Sequence, residues 1–194
     1  MKPLENMNLT GQFLIAMPAM QDPFFSKTVT FICTHNEDGA MGVVLNRPMQ
    51  ITLDHLFNQI DIPCEYPTIS DIPVFFGGPV QTERGFVLHS PSIEYNSTMQ
   101  INESVALTTS KDILESTAQS AGPDKILIAL GYAGWSAGQL EEEMSKNAWL
   151  SVSVSQPKAF NDLIFNLPYD EKLPMAMRLI GVDFASLSEV AGHA

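Results

Sequence analysis

The sequence predicts an α+β fold laid out as one domain over residues 1–194. Three observations carry this. Strand-like runs and a hairpin signal fill the first third of the chain, and helices alternate with apolar strands only later, so a clean βαβ series is not expected. The 194 residues suffice for one full core and are short for two. No repeat, low-complexity tract or linker-like break divides them, and 45% hydrophobic with 16% charged residues is a globular composition.

The elements follow in order. Phe13 to Met17 is a short apolar strand stopped by Pro18. Val29 to Thr34 mixes β-branched and aromatic residues, Asn36 to Gly39 supplies turn chemistry, and Met41 to Leu45 resumes an extended run. Two strands across a short polar turn read as a hairpin, closed by Asn46-Arg47-Pro48. Thr52 then caps a helix whose Leu53, Leu56, Phe57 and Ile60 recur on one face. Asp61 to Pro73, with three prolines, reads as loop. Val74 to Phe76, Gly85 to His89 and Val105 to Thr108 are strands. Thr109 to Asp112 opens a helix bearing Ile113, Leu114, Thr117, Ala118 and Ala121, and Gly122-Pro123 stops it. Ile126 to Leu130 reads as a central strand buried on both faces. Trp149 to Val154 alternates apolar and polar residues, as an edge strand would. Pro157 opens a helix carrying Phe160, Leu163, Ile164 and Leu167. The last helix carries Leu173, Ala176, Met177 and Ile180 and ends at Gly181.

Charge narrows the partners. Ten Lys and Arg against 22 Asp and Glu give −12 and a pI near 4.5. Nucleic-acid binding runs on phosphate neutralisation by Lys and Arg. Direct contact with DNA, RNA or an anionic membrane surface is therefore disfavoured. No apolar run approaches the roughly 20 residues of a membrane span, and no export signal is legible, so a cytoplasmic location is expected. Cys33 and Cys64 form no CxxC pair and read as reduced thiols.

The segment from Gly131 to Gln139 is the chain's best catalytic lead. Gly134-Trp135-Ser136-Ala137-Gly138 spells G-x-S-x-G between a strand and a helix, the context of a nucleophile elbow. The same residues also read structurally. Ser136 and Gln139 form a capping box, Glu141 to Glu143 suit a helix start, Glu142 and Lys146 are an i,i+4 pair, and Ala137, Leu140, Met144 and Ala148 make a buried face. A hydrolase would want an acid and then a histidine downstream, and only His193 follows, with Asp183 ten residues before it. His89 lies upstream, in another chain order. The turn lacks the Lys-Ser/Thr of a P-loop and GxGxxG spacing. Cys33 and His35 alternate on one strand, so a shared face is expected, and with His89 they could make a Cys/His/His metal site. His55 falls on the polar side of its helix. A third cluster, Asn46-Arg47, Gly77-Gly78 and Arg84, places arginines beside glycine and proline turns. It reads as a pocket whose guanidinium forks hold a carboxylate or peptide end, or as structural ion pairs among the many carboxylates.

Phe13 to Met20, Gly39 to Pro48, Phe76 to Val80, Gly85 to His89, Leu107 to Ser110, Gly131 to Leu140 and the closing Ala191 to Ala194 occur in one order that closely resembles the YqgE/AlgH family of bacterial proteins. The match runs from about Gly11 to the C-terminus. Thr34 departs from it, standing where an acidic residue is expected before His35. The resemblance implies an α+β domain whose bifurcated mixed β-sheet is folded into a pseudo-barrel with flanking helices. The family carries a transcriptional-regulator label that comes from genetics, with no demonstrated DNA contact. It has no established catalytic residue, cofactor or substrate, so no residue role carries over and no cofactor is expected. A −12 chain without a helix-turn-helix signature is a poor direct DNA binder. The expected function is a non-enzymatic binding or regulatory module acting through a protein or small-ligand partner. The alternative is a serine hydrolase using Ser136.

Overall fold

A computed structural model describes residues 7–182. The ten strands are β1 (Phe13–Ala16), β2 (Val29–Asn36), β3 (Gly39–Val44), β4 (Pro48–Thr52), β5 (Pro73–Phe76), β6 (Val80–His89), β7 (Met99–Gln100), β8 (Ala106–Thr108), β9 (Ile126–Ser136) and β10 (Trp149–Val152). The helices are α1 (Leu53–Gln59), α2 (Pro67–Ser70), α3 (Asp112–Ala118), α4 (Gln139–Ser145), α5 (Pro157–Asn161) and α6 (Tyr169–Leu179). A π-helical turn, Asp162–Asn166, continues α5. Among the described residues no helix is long and apolar enough to cross a membrane.

One mixed, curled sheet runs β10-β1-β2-β3-β9-β6-β8-β7, with β4 and β5 as a branch on β9. The branch is the bifurcation. One edge of β9 pairs in parallel with β5 at Ile128 to Leu130, then antiparallel with β3 from Ala133 to Ser136. Glycine makes the fork possible. Gly131 turns with φ 74°, and a Cβ on Gly77 would lie 2.3 Å from its carbonyl oxygen. A Cβ on Gly78, itself at φ 154°, would lie 2.0 Å from the Tyr132 carbonyl carbon. No side chain fits there.

Strand β9 also divides the core. Leu127 and Ala129 face a cluster with Phe13, Phe31, Phe160 and Met177, under α5 and α6. Ile128 faces Leu53, Phe57 and Ile113 of α1 and α3. Ala133 and Trp135 face Leu14, Ile32, Leu140 and Trp149 beside α4. Each large side chain in these clusters contributes about 1.5–3 kcal/mol on burial. The apolar stretch 126–130 is thus buried on both faces, as its sequence reads.

Several elements differ from the sequence reading. Strand β9 does not stop at Leu130 but runs through the glycines to Ser136. Strand β6 begins at Val80, where a glycine–proline stop hides it. The residues read as the close of the hairpin lead directly into β4, which pairs with β5. A one-turn α2 opens at Pro67 within the expected loop. Thr52 and Lys111 occupy N-cap positions without a side-chain cap bond. Strand β10 pairs only with β1 and is an edge, as its alternation predicts.

Candidate functional site

Ser136 is the last residue of β9, and α4 starts at Gln139 after Gly138 turns with φ 75°. Half of the expected capping box forms: Gln139 Oε1 accepts from the Ser136 backbone N–H at 3.0 Å. The hydroxyl does not cap a backbone N–H; it donates to the same Oε1 at 3.1 Å. Gln139 Nε2 donates to Glu143 Oε1 at 2.9 Å. Glu143 Oε2 accepts from both indoles, Trp135 at 2.9 Å and Trp149 at 2.8 Å. The segment is a corner held by one carboxylate and two tryptophans. Ala137 is exposed and takes no part in the buried face, which rests on Leu140 with Met144 and Ala148 packed beside it.

Among the described residues no histidine bonds the Ser136 hydroxyl. His35 lies nearest in the sheet, since its partner Ala40 pairs with Trp135. Its ring is occupied: Nδ1 accepts from the Leu9 N–H at 3.1 Å, so Nε2 carries the proton it gives to Glu141 at 2.8 Å. His89 pairs with Ile126, ten positions down β9 from Ser136, roughly 30 Å away at about 3.3 Å per residue. His193 and Asp183 lie outside the described residues. The serine-hydrolase reading is not supported: among the described residues the motif's serine is paired with no base.

The expected shared face of Cys33 and His35 is corrected by a β-bulge. Ile32 pairs with Gly42 and Thr34 with Met41, so Cys33 is the extra residue and the alternation resets. Cys33 packs in the cluster under α5 and α6, where burial pushes its thiol up. His35 turns to the opposite side, toward α4. His89 is fully buried at the far end of β9. There Nδ1 bonds the Ser90 carbonyl and Nε2 the Thr108 hydroxyl, both at 2.8 Å, and Thr98 Oγ1 continues the chain. Burial pushes its imidazole below the ordinary value, against a smaller upward pull from the Ser90 carbonyl. Among the described residues no three His, Cys, Asp or Glu side chains gather as metal ligands. His55 is exposed, as expected, and contacts Gln59.

The arginine cluster separates into scaffold and site. Asn46 accepts from the Val29 N–H and donates to the Lys27 carbonyl. Arg47 donates to the Pro23 and Ser26 carbonyls, each at 2.6 Å. Both residues pin the loop between β1 and β2. The Arg47 fork thus meets two backbone oxygens and, among the described residues, makes no ion pair. Gly77 and Gly78 form the sheet fork.

Arg84 is different. Val80 pairs with Tyr132 and Gly85 with Leu130, so residues 81–84 bulge out of β6 opposite a single β9 residue. Gln81 takes φ 50° to start the excursion. Arg84 is exposed at its tip, 5.9 Å over the Phe86 ring. Its Nη2 reaches the Thr109 hydroxyl at 3.1 Å, and Nη1 reaches Gln81 at 3.4 Å. Among the described residues it has no ion-pair partner. It forms a wall between two clefts. One, of about 270 Å³, has a floor of Leu56, Val87, Leu114 and Ile128 and a rim of Arg84, Lys111 and Glu83. The other, about 330 Å³, adjoins it over Phe86, Leu107 and Tyr132. The sequence reading did not single out Lys111; its place two residues after Thr109, as the N-cap of α3, gave no sign that α3 lies next to the β6 bulge.

Comparison with known proteins closes the identification. Residues 13–185 match the family described as AlgH-like. A UPF0301 protein of Thiobacillus denitrificans is 56% identical over 98% of this chain and 100% of its own length. One from Dechloromonas aromatica is 50% identical over the same shares. The solution structure of AlgH from Pseudomonas aeruginosa has a TM-score of 0.79 and 45% identity, covering 100% of both chains. A Corynebacterium diphtheriae crystal structure, 18% identical with a TM-score of 0.69 over 95% of this chain and 93% of that one, shares the fold. The glycine fork, the curled mixed sheet and these likenesses agree: the chain belongs to the AlgH-like, UPF0301 family.

Proposed function

We propose that the chain is a non-enzymatic binding module whose Arg84 cleft takes the carboxylate end of a peptide or small molecule. One observation carries this reading: a multi-residue bulge in β6 holds up an arginine that, among the described residues, has no carboxylate partner, in a chain of net charge −12. Bulges re-aim side chains beside functional sites. A guanidinium already steadied by an aromatic face and a hydroxyl is preorganised for a bidentate carboxylate. The apolar floor takes the ligand's body, and Arg84 is the cation without an ion pair on a rim that also carries Glu83 and Lys111, the latter beside Glu115 at 3.7 Å. In a bacterial cytoplasm such a module would influence transcription through a bound partner, since its charge repels DNA.

The test is a titration of the full chain with N-acetyl-L-leucine and with its uncharged amide, followed by amide-resolved NMR. The acid is expected to bind at least about tenfold more tightly, with shifts at Arg84, Thr109 and Lys111. Arg84→Ala should abolish the preference without lowering stability. Equal affinity for acid and amide sinks the proposal.

A further inference from the structure

The geometry points to a second site: Lys172 and the cavity it lines form a receptor for an apolar monocarboxylate. The site stands apart from the Arg84 cleft and does not rest on that reading.

Lys172 is 2% exposed, in the first turn of α6 and among Leu173, Ala176 and Met177. A lysine this deep ordinarily has a carboxylate partner. Among the described residues it has none. One of its three N–H groups donates to the Ile164 carbonyl at 2.7 Å. That bond has a local cause: four residues on stands Pro168, which has no N–H to offer. The Phe75 ring, 5.5 Å from Nζ, supplies partial compensation through its π face. Among the described residues the remaining donors have no acceptor.

Lys172 also lines a cavity of about 410 Å³, within the usual range for small-molecule sites. Phe75, Leu127, Phe165 and Leu167 supply its apolar wall, and Tyr169 stands at the exposed side. Two further features suit an anion there. Pro168, Tyr169 and Lys172 bring the N-terminus of the 11-residue α6 to the wall, where the first-turn Asp170 and Glu171 do not line the cavity. Phe165 sits in the π-helical turn, an irregularity that recurs at functional sites. Burial also lowers the lysine's affinity for its proton, to a pKa of about 8, as an ammonium lacking a counterion requires. A ligand carboxylate would provide that counterion, and an aryl or alkyl body would fill the apolar space.

The experiment uses the full chain and two probes, 3-phenylpropanoate and its neutral amide, 3-phenylpropanamide. The acid is expected to bind at least about tenfold more tightly, to shift the amides of Phe165, Leu167 and Tyr169, and to raise the Lys172 pKa. Lys172→Met, which keeps an unbranched apolar side chain, should bind acid and amide equally. Arg84→Ala should leave all of this unchanged, which separates the two sites. Equal affinity of the two probes for the wild-type chain, or shifts confined to the Arg84 cleft, overturns the proposal.

Discussion

Replacing Lys172 with Met should make the stability difference between variant and wild type depend on pH in a calculable way. In the native state burial brings the lysine from its ordinary 10.5 to about 8. The unfolded chain therefore binds the extra proton between these values, and native stability must rise with pH across that window. A shift of about 2.5 units is on the order of 3 kcal/mol, all of it opposing the fold below pH 8. At pH 7 the methionine variant escapes that cost but leaves the Ile164 carbonyl without its donor, a loss of about 1–3 kcal/mol. It should therefore equal wild type or exceed it by up to about 2 kcal/mol. Between pH 7 and pH 10 wild type should gain about 2.5 kcal/mol on the variant. Urea unfolding of both proteins at pH 7, 8, 9 and 10 reads this directly, and titrations common to both cancel in the difference. A difference that stays flat across the series would refute the claim that the ammonium is desolvated and without a counter-charge.

Further outcomes follow from the scaffold. Gly78→Ala places a methyl 2.0 Å from the Tyr132 carbonyl carbon at a positive φ, so it should cost more than about 3 kcal/mol in denaturant unfolding. Glu143→Ala leaves both indole N–H groups without their acceptor. It should cost about 2–4 kcal/mol and shift fluorescence, since Trp135 and Trp149 are the chain's two tryptophans. Burial lowers the His89 pKa, so the unfolded state binds more protons as pH falls below about 6.5. His89→Gln should flatten the loss of stability between pH 7 and pH 5, and equal slopes would count against a buried neutral imidazole.

Much of the fold was legible because the signals are local. The hairpin of β2 and β3 is written in four turn residues, and the doubly buried part of β9 in five consecutive apolar ones. The fork was not legible at Gly131, because glycine after an apolar run reads as a stop when the partner strand is unseen. Only the close approach of Gly77 to Gly131, far apart in sequence, shows that the strand continues. The shared face expected for Cys33 and His35 failed for a related reason. A bulge adds one residue to a strand without any mark in composition, and every later side chain changes side. Lys172 did leave a trace. It falls on the same helical face as Leu173, Ala176 and Met177, where a surface lysine has no place. Arg84 was noticed for its neighbouring glycine, yet its exposure follows from the β6 bulge, which no short-range pattern announces.

The residues that look most like a motif have structural partners, and both proposed sites lie where no motif exists. Ser136 and the glycines around it are explained by a strand fork, a helix start and a carboxylate clamped by two indoles. The Ser136 hydroxyl bonds Gln139, which bonds Glu143 in turn. The cations divide on a plain physical criterion. Lys111, Lys146 and Lys158 sit beside Glu115, Glu142 and Asp162, and Arg47 is occupied by two backbone carbonyls. Lys27, Lys125 and Arg178 likewise make no ion pair among the described residues, so what sets Arg84 and Lys172 apart is their placement. Arg84 is lifted by a bulge onto a rim it shares with Glu83, and Lys172 is buried beside a cavity. The two positions differ in solvent exposure and share an unmet demand for negative charge, so acid-over-amide selectivity, measured separately at each, is the property that would show this scaffold to be a receptor.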